Sequence, residues 1–141
     1  MVQRCDAIVV TAPLTPETEG LFDRDVLNGM KKGSWLVNVA RGGIVDTDAL
    51  VEALESGQLG GYAGDVWYPE PAPADHPWRR MPRHMLTPHV SGTTLDAQRK
   101  YATDVRICLE AYFAGQPLES DHVIVADGEI VGGAYKAAFG G

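Results

Sequence analysis

Residues 34–67, SWLVNVARGGIVDTDALVEALESGQLGGYAGDVW, hold one complete strand–helix–strand unit, legible from apolar runs and the residues that interrupt them. Residues 34–39 (SWLVNV) form a short apolar run that reads as a strand. The turn Ala40-Arg41-Gly42-Gly43 breaks it, and Ile44 and Val45 lead to Asp46. Asp46 or Thr47 caps a helix whose Ala49, Leu50, Ala53 and Leu54 share one side, and Gly57 ends it. Residues 62–67 (YAGDVW) read as the next strand, small enough at Ala63 and Gly64 for close backbone approach.

Working outward, residues 7–11 (AIVVT) are a continuous apolar run, the pattern of a parallel strand covered on both faces. Pro13 and Pro16 then forbid a continuing ladder or a helix interior. Asp23 is the expected N-cap of a short helix over 24–32, with Val26, Leu27 and Met30 on one face and Gly33 as its stop. On the other side, residues 69–82 form a proline-rich loop too long for a simple connection; such loops are functional or disordered. A fourth strand is expected at 85–87, before Pro88-His89-Val90-Ser91-Gly92. The longest helix is predicted over 95–114, where Tyr101, Val105, Cys108, Leu109 and Tyr112 form an apolar stripe, with Gly115 and Pro117 ending it. Beyond Leu118 one apolar patch, Val123-Ile124-Val125, precedes glycine-rich sequence read as an irregular tail.

Alternating strands and helices with short connections imply right-handed crossovers and a parallel sheet, hence a doubly wound α/β fold. The domain organisation expected is 1–115 as one domain with its long last helix, and 116–141 as a tail. The length of 141 residues suits a single ordinary domain. A formal charge of −7, from 12 Lys+Arg against 19 Asp+Glu, argues against nucleic acid or an anionic membrane as partner. No stretch approaches the ~20 apolar residues of a membrane span, and the N-terminal MVQRCD is not a signal peptide. Cys5 and Cys108 lack metal-ligand spacing and read as small hydrophobes in a reducing, cytoplasmic setting.

In open parallel sheets ligands sit beyond the carboxyl ends of the strands. That rule marks 12–18, 40–43, 65–70 and 89–92. Arg41, between an apolar strand and two glycines, either clamps a carboxylate through two parallel hydrogen bonds or pairs with a surface acid. Asp65 either accepts a hydrogen bond from a ribose or carboxamide or caps the turn that follows it. His89 is the best acid–base candidate of the four histidines, against the alternative of a structural imidazole. Glu70, in Pro69-Glu70-Pro71, either orients an imidazole and favours its charged form or sits in a solvated loop. His84 and His89 fall on opposite sides of a predicted strand, so no metal site is expected. A dinucleotide fold also needs a G-x-G-x-x-G turn after its first strand, with an acid ~20 residues on. None is present, so only the second half of such a fold is expected here.

These segments, in this order, resemble the D-isomer-specific 2-hydroxyacid dehydrogenase superfamily. The resemblance rests on Leu36 through Asp46, followed by Ala49-Leu50 and Gly64-Asp65-Val66. Within it the chain looks closest to the NAD-dependent formate dehydrogenases, through Pro13 to Glu19, Ala53 to Trp67, Pro71 to Arg79 and Thr87 to Thr93. The resemblance implies that Pro13, Leu14, Thr15, Pro16, Glu17, Val39 and Asp65 contact NAD, with His89, Val90, Ser91 and Gly92 flanking the nicotinamide. It implies that Arg41 holds the carboxylate of formate while His89 positions the anion, and that the full-length enzyme is a homodimer. The chain then resembles a C-terminal portion, expected to be inactive alone and to bind NAD weakly or not at all.

Glu70 departs from the formate dehydrogenase pattern, which usually carries glutamine there; the hydroxyacid dehydrogenases carry glutamate. Interconverting an alcohol and a ketone needs a proton as well as a hydride, and a carboxylate beside histidine serves that step. Val39, where threonine is frequent, is a smaller departure. Two other readings therefore stand beside the first: a D-2-hydroxyacid dehydrogenase and a non-catalytic NAD-binding module.

Overall fold

A sheet whose strands follow chain order must carry all its right-handed crossovers on one face, and this geometry governs the molecule. The structure is a computed structural model describing residues 2–119 and 122–132. Its elements are β1 (Ala7–Val10), α1 (Arg24–Gly29), β2 (Ser34–Asn38), α2 (Thr47–Glu55), β3 (Leu59–Gly64), β4 (His84–Leu86), α3 (Leu95–Phe113), β5 (Val125–Ala126) and β6 (Glu129–Ile130), with 3-10 turns at Val2–Arg4, Gly42–Ile44 and Pro77–Arg79. The four long-range strands pair in parallel in the order β1-β2-β3-β4. The expected parallel α/β fold is present.

The chain forms two compact units, Met1–Ser91 and Gly92–Gly141. In the first, α1, α2 and the Trp78 turn build one core with the sheet. Leu27, Leu36, Ile44, Leu50, Leu54, Leu59, Tyr62 and Trp78 are fully buried in it. Each such side chain contributes roughly 1.5–3 kcal/mol of transfer free energy. Asp23 caps α1 by accepting the Val26 N–H at 2.8 Å, and Asp46 caps α2 by accepting that of Ala49 at 2.8 Å. Gly57, at φ +73°, follows the end of α2 as expected, whereas Gly33, at φ +78°, lies in the turn before β2, past the end of α1.

The other sheet face is open. Val9, Trp35 and Met85 are 58%, 48% and 71% exposed, so the expectation that the 7–11 strand is covered on both faces fails in this chain. Sequential strand order is the reason, because it leaves no crossover for that side. The third strand also differs from the expected 62–67. Pairing begins at Leu59 and ends at Gly64, because Gly61 admits the Trp35 ring, which a Cβ there would meet at 2.4 Å. Asp65, Val66 and Trp67 leave the sheet for the loop beyond it. Helix α1 ends at Gly29 rather than residue 32.

In the second unit, α3 runs close to the expected span, capped by Thr94, whose hydroxyl accepts the Ala97 N–H at 3.1 Å. Its predicted stripe is exposed: Tyr101, Val105, Leu109 and Tyr112 are all more than half accessible. The tail holds more order than expected, since β5 and β6 pair antiparallel around Asp127-Gly128. Both turn residues have positive φ, the mark of a tight hairpin turn, and an Asp-Gly pair is the sequence signal for it. The remainder of the predicted tail, 133–141, lies outside the described residues.

Candidate active site

All four parallel strands of the first unit end at one rim, and the predicted site segments lie there. After β1, the Thr18 hydroxyl donates to the Pro13 carbonyl at 2.7 Å and accepts the Thr15 N–H at 2.8 Å. This closes the turn that carries Pro13, Leu14, Thr15, Pro16 and Glu17. Glu17 is exposed, and its carboxyl is held below the usual range by the Thr15 side chain and its own backbone.

At the end of β2, the fully buried Asn38 governs the turn. Its Oδ1 accepts the Ala40 N–H at 3.0 Å and its Nδ2 donates to the Arg41 carbonyl at 2.9 Å. Gly42 follows because the chain leaving β3 passes directly over it. A Cβ at Gly42 would lie 2.1 Å from the Trp67 carbonyl oxygen. Gly43 sits where a Cβ would touch both Leu14 and Tyr68 at 3.5 Å, so the first three rim segments meet at this glycine pair. The Arg41 guanidinium is exposed and donates one hydrogen bond, to the Ala40 carbonyl at 2.7 Å. No carboxylate pairs with it among the described residues.

Asp65, just past β3, is 3% exposed. Its Oδ1 accepts the Val90 N–H at 2.9 Å and the Thr87 hydroxyl, and its Oδ2 accepts the Ser91 N–H at 2.8 Å. Burial by itself would raise this carboxyl's pKa. The Ser91 and Thr87 side chains and the Ser91 and Val90 amides outweigh burial and hold it well below the usual range. Asp65 is therefore an anionic clamp on the loop after β4, its oxygens engaged by residues 87–91 rather than by the turn that follows it.

That clamp spans His89, whose φ of +59° is left-handed. Such a conformation in a non-glycine residue persists only when its surroundings over-determine it. Here Asp65 holds the two amides after His89, and the Trp67 indole N–H holds the Thr87 carbonyl before it at 3.0 Å. The His89 Nδ1 faces the Glu70 carboxylate, 3.0 Å from Oε1 and 3.1 Å from Oε2. Both partners are about two-fifths exposed. The structure thus joins Glu70, His89, Asp65, Val90 and Ser91 through direct contacts. Arg41 stands at the same rim two strands away, roughly 10 Å in strand spacing. Gly92 opens the second unit.

Several positioning residues escaped the sequence reading: Asn38, Thr87 and Trp67. Asn38 carried a usable signal, as the one amide inside an apolar strand. The others act through carbonyl and hydroxyl contacts between distant loops, which no local pattern announces.

A nicotinamide ring asks for apolar walls, and a carboxylate substrate beside it asks for an uncommitted cation. Val39 and Val90, 43% and 47% exposed, stand at the ends of β2 and β4, and Arg41 is the cation. The described residues thus fit the nicotinamide end of a dinucleotide. They include no G-x-G-x-x-G turn for its pyrophosphate.

Comparison with known proteins bears on the same residues. The model of the D-isomer specific 2-hydroxyacid dehydrogenase NAD binding domain matches residues 1–91. The mitochondrial formate dehydrogenase of Solanum tuberosum is 51% identical over 130 residues, covering 92% of this chain and 34% of its own length. The NAD-dependent formate dehydrogenase of Staphylococcus aureus, solved in complex with NAD, is 60% identical with a TM-score of 0.79 over 89% of this chain and 38% of that one. A Granulicella formate dehydrogenase is 53% identical with a TM-score of 0.87, over 93% of this chain and 35% of its own. The chain spans about a third of the length of these relatives.

Proposed function

The chain belongs to the D-isomer specific 2-hydroxyacid dehydrogenase NAD-binding-domain family, and from that premise we propose that it works as the C-terminal portion of an NAD-dependent formate dehydrogenase, which transfers hydride from formate to NAD+ and yields CO2 and NADH. The observation that carries this reading is an exposed Arg41 guanidinium with no acid partner among the described residues, at the rim that also bears His89. The identity to formate dehydrogenases supports it along nearly the whole chain.

Arg41 grips the two oxygens of formate through its planar fork, a geometry lysine lacks. His89 supplies a second donor that fixes the anion's orientation. Formate oxidation abstracts no proton, so these residues contribute alignment and a positive field around two anionic oxygens. NAD, when bound, supplies the hydride-accepting ring. Pro13, Leu14, Thr15, Pro16, Glu17 and Val39 line one side of its site and Val90, Ser91 and Gly92 the other, with Asp65 acting on the nicotinamide side through the amides it clamps. Residues 1–115 serve as the second half of the cofactor domain and its return helix, and 116–141 as a tail. The working enzyme is a cytoplasmic homodimer in this reading, supported by the exposed apolar stripe of α3. No helix among the described residues is long and apolar enough to cross a membrane.

One observation favours a second reading. The 3.0 Å contact between Glu70 and His89 is the arrangement a proton carrier needs, and it suits a D-2-hydroxyacid dehydrogenase. Steady-state assays of the full-length protein on formate, glycerate and lactate separate the two. Formate turnover is expected; turnover on a hydroxy acid with none on formate ends the first reading. Glu70→Gln is expected to leave formate turnover equal or better, because it removes a negative charge close to an anionic substrate.

A further inference from the structure

An exposed ion pair is too weak to hold two loops in register. Glu70 also lines a cavity of about 220 Å³ with Trp67, Pro71, Ala72, Arg79 and Pro88, which gives its carboxylate room to leave His89. Something beyond the pair must therefore set their spacing.

Arg79 is placed to do so. Its Nε donates to the Pro73 carbonyl at 2.9 Å and its Nη2 to the Ala72 carbonyl at 3.0 Å, a two-pronged grip just past Glu70. The same guanidinium lies 5.0 Å over the Trp67 ring. Trp67 in turn holds the Thr87 carbonyl, two residues before His89. The neighbouring His76 also braces the loop, with Nε2 at 2.8 Å from the Tyr68 carbonyl and its ring edge-on to Trp67. One cation thus ties the Glu70 loop to the indole that ties the His89 loop.

We propose that Arg79 is a positioning residue, outside the substrate site, that sets the Glu70–His89 spacing through the Ala72 and Pro73 carbonyls and the Trp67 indole. The proposal rests on the reading of His89 as a site residue, but not on which acid is oxidised. A lysine retains the charge over the indole yet cannot span two consecutive carbonyls, and alanine loses both contacts.

The test uses the full-length protein, with crystal structures of Arg79→Ala and Arg79→Lys and pH profiles of kcat/KM for wild type, Arg79→Ala, Glu70→Gln and the double variant. In Arg79→Ala, the Glu70 carboxylate is expected to move beyond about 4 Å from His89 Nδ1, outside ion-pair range. Its pH profile should move in the same direction as that of Glu70→Gln, and the double variant should move no further than Glu70→Gln alone. A Glu70 carboxylate still at its wild-type distance in both Arg79 variants overturns the proposal, as does a double variant whose displacement is the sum of the two singles. If the enzyme turns over a hydroxy acid and not formate, the formate reading fails while the same profiles on that substrate still judge Arg79. If neither acid is turned over, the crystallographic distance alone decides.

Discussion

Asp65→Asn removes one charge and no volume, and its cost can be worked from the bonds around that carboxylate. Oδ1 accepts from Val90 and Thr87, and Oδ2 accepts from Ser91. In either orientation of an asparagine amide, its NH2 group faces a backbone N–H, so one charge-assisted bond is lost outright. That loss costs about 1.5–3 kcal/mol, and the bonds that remain fall to roughly half strength on becoming neutral. The expected destabilisation is about 3–5 kcal/mol at neutral pH. Urea unfolding followed by tryptophan fluorescence, from Trp35, Trp67 and Trp78, reads this unit directly. The linkage sign supplies a second check. The folded carboxyl is held below its usual value of 3.8, so its stabilisation is complete above that value and fades as pH falls through the lower folded one. The gap between wild type and variant should therefore be flat above about pH 5 and narrow in stronger acid. Loosening the clamp also frees His89 from its left-handed conformation and lowers kcat by about a hundredfold, the scale of a misplacement near 1 Å. A destabilisation below about 1 kcal/mol, or a gap that stays constant into acid, would show that the clamp is not what holds this loop.

Gly42→Ala sets a methyl 2.1 Å from the Trp67 carbonyl, so the Arg41 turn and the β3 exit must separate by about 1 Å. Thermal unfolding should report a loss of about 1–3 kcal/mol, and kcat should fall more steeply than stability alone explains. Arg41→Lys should raise KM for formate by at least about tenfold with a small change in KM for NAD, measured by steady-state kinetics; equal shifts in both would place Arg41 outside the substrate contact.

Much of the fold is legible one element at a time. The apolar runs at 7–11 and 34–39, the caps Asp23 and Asp46 and the glycine stops at Gly33 and Gly57 are local signals, and the structure follows them within a few residues. Two readings needed neighbours that local pattern does not contain. The strand expected from Tyr62 begins instead at Leu59, because Gly60 and Gly61 admit the Gly33 carbonyl and the Trp35 ring against them. The stripe on α3 has the spacing of a buried face, yet Tyr101 and Tyr112 are 63% and 74% exposed. The Asp127-Gly128 hairpin, by contrast, has its local signal in the Asp-Gly pair, outweighed in the reading by the glycine content around it.

The site divides along the same line. Arg41, Glu70, His89 and Asp65 can be picked out from residue type and from their place at strand ends, because a parallel sheet sends the carboxyl end of every strand to one rim. Which of them touch, and which stay free, is not contained in any window of the sequence. Asp65 as a clamp, Glu70 against His89, and Arg41 with no acid partner among the described residues are facts of loop packing. Periodicity and capping act over a few residues and survive in the bare sequence, whereas a hydrogen bond between residues 65 and 90 exists only once burial has brought two distant loops together.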